Sequence, residues 1–134
     1  MNQPKSLPGI ARVTFVVHFI VSILIGLPLL IIPATFGGWF GYPSTPALEP
    51  PIRALGAALL GLGAVTSLYG ILTKNWERVD YIVRGEITYL ALAIIVFVVS
   101  VVTGSGPILG NVAFAVVSVA LLVLFVATWV ARPK

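Results

Sequence analysis

Three side chains able to do chemistry sit in stretches otherwise too apolar to hold them: His18, Tyr69 and Glu86. An imidazole, a phenol and a carboxyl can share protons or hydrogen bonds. An ionisable group within a membrane span is a functional candidate by default. His18 opens a stripe with Ser22 and Gly26 at a spacing of four, so this face should point into a bundle. Glu86 stands two residues from Arg84, about 200° around a helix, so the pair cannot share a face. If the three groups enter from one side they reach similar depths, with Glu86 about 9 Å inside its span. Two readings stay open. In one, Glu86 is protonated or paired with His18, and a buried polar knot fixes helix register. In the other, the cluster is a proton half-channel or a polar grip on a quinone or lipid headgroup. A path across the membrane would be thin, because beyond Ser100 only Thr103 and Asn111 continue it.

The rest of the chemical inventory is short. No second acid shares the face of Glu86, and no nucleophile elbow, P-loop or H-E-x-x-H motif occurs. Zero cysteines exclude disulfides, thiolate metal sites, iron–sulfur clusters and covalent c-type haem. A lone histidine could ligate haem only across a symmetric oligomer. The sequence therefore gives no catalytic residue, no metal site and no cofactor, and it points away from an enzyme.

The elements that carry these residues follow from composition. Of 134 residues, 59% are hydrophobic and 9% charged, with a mean hydropathy of +1.10. A soluble domain carries roughly a quarter charged residues. Twelve charges cannot cover such a domain, so one integral membrane domain over 1–134 is expected. The net charge of +4 is too sparse for nucleic acid. A spanning helix needs about 20 apolar residues. Four stretches qualify, at about 13–32, 52–73, 81–103 and 112–131, and they predict an all-α bundle of four transmembrane helices. The breaks between them are Pro33 to Pro46, the charged run Lys74 to Asp80, and a tight turn with Gly104, Gly106, Pro107 and Gly110. The first span is longer than a signal-peptide core and reads as a retained signal anchor. Pro28 inside it reads as a structural kink.

Lys5, Arg12, Lys74, Arg78, Arg132 and Lys134 fall on one side, joined by Arg84 if it reaches back. Arg53 stands alone on the other side. The positive-inside rule puts both termini in the cytoplasm, in a multi-pass protein of the cell (inner) membrane. Trp39, Phe40 and Tyr42 form the outer aromatic belt, with Trp76, Tyr81 and Trp129 at the inner one. Arg53, beside Glu49 and Pro51, is an interfacial anchor or a grip on an anionic headgroup. Arg84 follows Asp80 by four residues and can snorkel to the inner interface.

Small residues at helical spacing mark contacts between membrane helices. Gly56, Gly63 and Gly70 repeat every seven residues, as do Glu86, Ala93 and Ser100. An antiparallel hairpin turning about Arg78 would set Gly70 against Glu86, Gly63 against Ala93 and Gly56 against Ser100. This predicts a tight, left-handed seam between the second and third spans.

The run Gly26-Leu27-Pro28, the outer loop from Trp39 to Pro43 and Arg53-Ala54-Leu55-Gly56-Ala57-Ala58 resemble the small four-helix DoxX-like membrane proteins of bacteria and archaea. The likeness covers about the first half of the chain. It implies a four-helix bundle and, in some members, association with membrane oxidoreductase complexes; no ligand residue carries over. The expected role is a non-catalytic accessory or assembly subunit of a larger membrane complex. Its partners would be lipids and other membrane subunits, or copies of itself. The alternatives are a small homo-oligomeric transporter or channel, and a quinone-contacting subunit of an oxidoreductase.

Overall fold

The computed structural model describes residues 5–133 and contains five helices. Helix α1 is Gly9–Ile31, α2 Pro33–Trp39, α3 Glu49–Leu72, α4 Asp80–Thr103 and α5 Ile108–Val130. All but α2 are long and apolar enough to cross a membrane, so the protein is an all-α, multi-pass integral membrane protein. Three spans start three to four residues before the apolar runs do, because helix continues beyond the lipid-like stretch. Pro50 and Pro51 in the first turn of α3 help this, since the missing N–H groups would be unsatisfied there anyway. Pro28 lies within α1, which continues to Ile31. The break comes at Pro33, which forces Ile32 out of helical geometry (φ −127°, ψ 52°) and opens α2 as its first residue.

Span order around the bundle is α3, α1, α5, α4. Helix α1 lies along the full length of α3 and also meets α5, while α4 packs on α5 as a close hairpin. Gly104 makes that hairpin possible by taking the left-handed conformation (φ 68°) at the end of α4, where Ser105 N donates to the Ser100 carbonyl at 2.8 Å. Gly110 belongs to the first turn of α5 rather than to the connection, and the Tyr42 ring lies against it.

The glycine stripe packs, but on a different partner. A Cβ at Gly56 would lie 2.6 Å from Leu30 N, one at Gly63 2.5 Å from Ser22 Oγ, and one at Gly70 2.6 Å from the Phe15 ring. All three contacts are with α1. The predicted seam of α3 on α4 is therefore corrected: those helices barely touch. Ala93 lines a cavity instead, and the Ser100 hydroxyl donates to its own helix at Val96 O (2.8 Å). A period of seven marks a face that can be approached closely; it carries nothing about which helix approaches. Bulky Tyr89 and Phe97 on the facing side of α4 leave no groove for the stripe, whereas Ser22 and Gly26 on α1 do.

The two ends of the bundle differ. At the end holding the termini, Ala11, Phe15, Trp76, Val79, Val83, Leu90, Leu121 and Phe125 form a continuous core. The 73–79 connection folds beneath it, tied to the N-terminal segment by Trp76 N to Lys5 O (2.9 Å) and Leu7 N to Lys74 O (3.1 Å). Trp76 consequently is not an interfacial anchor. It is 4% exposed and packs near Trp129, with ring centroids 6.4 Å apart. At the opposite end the helices splay around a cavity of about 510 Å³.

The α1–α3 contact predicts a differential effect. Gly63→Leu should lower stability in detergent by about 1–3 kcal/mol or more, the cost of overpacking a close contact. Gly61→Leu, where an added Cβ meets nothing within 4 Å, should leave thermal unfolding close to that of the parent. Equal unfolding temperatures for the two would refute this packing.

Candidate functional site

Helix α1 turns one stripe inward, with Ala11, Thr14, Phe15, His18, Ser22 and Gly26 buried. The polar members need partners, since a buried donor or acceptor left unpaired costs free energy. Thr14 Oγ1 meets Thr128 Oγ1 at 2.8 Å and donates to its own helix at Ile10 O (3.0 Å), joining α1 to α5.

One turn further in, His18 is 4% exposed. Its Nδ1 lies 2.8 Å from Ser67 Oγ on α3, and its Nε2 lies 3.6 Å from Glu86 Oε2 on α4. Its ring meets Phe125 of α5 edge-on, with centroids 5.1 Å apart. The imidazole thus touches all three other spans. Glu86 is enclosed (side chain 13% exposed), and its Oε2 stands beyond short hydrogen-bond distance of the imidazole.

Tyr69 does not join His18 and Glu86. It is 44% exposed, and Ser67, two residues earlier, faces His18 instead. Two residues turn a helix by about 200°, so Ser67 and Tyr69 cannot both look inward. Ser67 has a signal in the sequence: it lies four residues after Gly63 and three before Gly70, on the glycine face. A π-helical stretch, Leu59–Ala64, precedes it in α3. Thr66 Oγ1 donates to the carbonyls of Leu62 and Gly63, the latter at 3.2 Å, covering acceptors of that wider turn.

The cavity runs from His18 at its base to Pro33, Phe36, Tyr42 and Leu48 at the loop end. His18 to Ile31, the end of α1, is thirteen residues, about 20 Å at helical rise. Ile52, Leu55 and Leu59 of α3 form one wall and Tyr89, Ala93 and Phe97 of α4 another. Apart from Tyr42 at the mouth, the polar lining side chains lie in the lower part, where Ser22 of α1 and Ser118 of α5 join His18 and Tyr89. At the mouth the Tyr42 hydroxyl donates to Asn111 Oδ1 at 2.8 Å, and burial raises the phenol above its ordinary value, so the proton stays on oxygen.

The outer-end and headgroup residues also have defined places. Arg53 Nη1 donates to Leu30 O (2.5 Å) and Ile31 O (3.2 Å), carbonyls that the end of α1 leaves without helical partners. It is a cap on the first span, held by Glu49 at 3.5 Å. Arg84 pairs with Asp80 at 3.0 Å and lies 4.6 Å over the Trp129 ring, with Arg132 at 4.1 Å from the same ring. Trp39 is 63% exposed. Lys134 lies outside the described residues. Among the described residues no group of three His, Asp or Glu side chains is placed to hold a metal ion.

Comparison of the chain with family models, with curated proteins and with solved structures finds no match in any of the three.

The His18 contacts predict separable effects. Glu86→Gln keeps shape and polarity beside the imidazole and should unfold near the parent temperature. Glu86→Leu and Ser67→Ala each remove a partner of buried His18 and should cost about 1–3 kcal/mol. Thermal unfolding of the three variants in one detergent checks this. Wild-type stability of Glu86→Leu would show that the carboxylate does not support the bundle.

Proposed function

We propose that this protein is a non-catalytic accessory or assembly subunit of a larger membrane complex, recognised within the bilayer through α4. The observation that carries this reading is the burial pattern of α4. Of its 24 residues only Val83 and Leu90 are buried, while Leu92, Ile95, Val96, Val99 and Val102 are all at least half exposed. Helix α5 covers one side of α4, and α3 leaves the other uncovered. A span packed on a single neighbour in this way has room for another subunit's helix. Two of the three connections between spans, 73–79 and 104–107, are short and the third carries α2, which supports the bilayer as the place of contact. The DoxX-like resemblance of the first half points the same way.

The inferred setting is the inner membrane with both termini in the cytoplasm. Lys5, Arg12, Lys74, Arg78, Arg84 and Arg132 support that orientation, since they cluster toward the end that holds the termini. The cation at the opposite end, Arg53, is occupied in capping α1.

Two measurements test the proposal. The sequence has no cysteine, so cysteines introduced at exposed Ser44 and Glu77 report topology without interference. An impermeant thiol reagent on intact cells should label Ser44→Cys and not Glu77→Cys. For the partner, a photo-crosslinking amino acid at Val99 on α4 should capture one defined membrane protein from native membranes. The same probe at Leu24 on α1, 63% exposed, should capture none. A homo-oligomer alone, conducting ions in liposomes, would replace the subunit reading with the transporter one.

A further inference from the structure

We propose that the cavity between α1, α3, α4 and α5 is a binding site for an uncharged lipophile whose polar end accepts hydrogen bonds, such as a carbonyl-bearing chain or ring. The two serines at its base carry the argument. Ser22 is 2% exposed and Ser118 8%, and both line the cavity from different helices. Among the described residues neither hydroxyl has a hydrogen-bond partner and neither is sealed away from the cavity, whereas Thr14, Thr66, Ser67, Thr88, Ser100 and Thr103 are all bonded. Within a bilayer an unpaired hydroxyl has no bulk water to turn to, and its usual remedy is the carbonyl one turn back on its own helix. Ser22 and Ser118 do not take that remedy. Both residues line the closed end of the same apolar cavity, Ser22 with its Oγ also lying against Gly63 of α3.

Size and polarity fix the ligand class. A volume of about 510 Å³ lies in the middle of the range for small-molecule sites, which are mostly apolar with a few placed polar groups. Above the serines the walls are Val21, Ile25, Leu29, Leu55, Leu59 and Phe97, suited to a hydrocarbon body. No cation lines the cavity, and the Glu86 carboxyl stands behind His18, so an anionic head such as a carboxylate or phosphate is disfavoured. His18 has its Nδ1 committed to Ser67, so the donors at the base for an acceptor head are the serine hydroxyls, with the Tyr89 phenol beside them. The uncovered side between α3 and α4 faces lipid, the phase in which such a molecule dissolves.

The test uses the full-length protein in lipid nanodiscs and a long-chain methyl ketone carrying a diazirine near its middle. Photolabelling should be saturable, should map by mass spectrometry to cavity residues, and should be displaced by the unlabelled ketone. The alkane of equal length should compete far less well. Ser22→Ala with Ser118→Ala removes both serine donors without adding bulk, and should weaken ketone binding by about tenfold or more. Its thermal unfolding should stay at or above that of the parent, since two unpaired hydroxyls are gone. Ala93→Phe, which fills the cavity from α4, should abolish labelling, and folding of each variant is checked by its unfolding transition. Three results would overturn the proposal: no saturable labelling of the parent, equal competition by alkane and ketone, or unchanged ketone affinity in the double serine variant. Equal competition would identify the cavity as a slot for lipid acyl chains.

Discussion

The structure depends on one imidazole that reaches every other span. His18 joins α1 to α3 through Ser67, to α4 through Glu86 and to α5 through Phe125. Inside a membrane this matters more than a similar cluster would in water. Lipid tails are as apolar as leucine side chains, so burying leucine between helices gains little, and association rests on close packing and polar contacts. A residue with two ring nitrogens and an aromatic edge can serve three neighbours at one depth. The layer it defines divides the bundle. Toward the termini the Thr14–Thr128 contact and the Phe15–Phe125 pair close the core, while toward the loops the helices part.

Close approach of α1 and α3 is the complementary constraint. Gly56, Gly63 and Gly70 let the backbone of α3 ride directly on Leu30, Ser22 and Phe15. That contact sets the distance at which Ser67 can reach His18 Nδ1. The π-helical turn at Leu59–Ala64 lies between Gly56 and Ser67, where an added residue per turn adjusts the register of the two ends. Arg53 fixes the same pair of helices at the far end by capping the carbonyls that Pro33 leaves free. Three devices of different chemistry therefore serve one interface, and α4 receives none of them.

Much of this was legible in the sequence, and the rest was hidden for identifiable reasons. The four spans followed from apolar length alone, because backbone groups in lipid must be satisfied within a helix. The inward face of α1 was readable from His18, Ser22 and Gly26, since their spacing is a property of one helix. Which helix meets the glycine stripe was not. A repeat of seven on α3 matched a repeat of seven on α4 equally well on paper, and only the side chains between the repeats, Tyr89 and Phe97, decide against it. Tyr69 shows the same limit at finer scale: depth along a span can be counted from residue number, whereas azimuth depends on a two-residue offset from Ser67. Ser118 was invisible because a lone serine in an apolar run has no periodic partner. Trp76 looked like an interfacial aromatic because it stands among charges, and its burial comes from backbone pairing with Lys5, a contact no side-chain pattern encodes.

The cavity follows from these unequal contacts. Helix α3 is held tightly to α1, and α4 is held tightly to α5 by the Gly104 turn, so the two pairs behave as hairpin-like units joined across α1 and α5. At the depth of His18 the units are tied by Glu86. Above it nothing polar crosses from α3 to α4, and the facing side chains, Leu55 and Leu59 against Tyr89 and Phe97, are too large to interdigitate at glycine distance. In water such a gap would collapse, because exposing apolar walls is costly. In lipid that penalty is absent, since hydrocarbon can line or fill the space. An opening that a soluble bundle would have to close can therefore persist here, with its polar groups gathered where the four helices are still bound together.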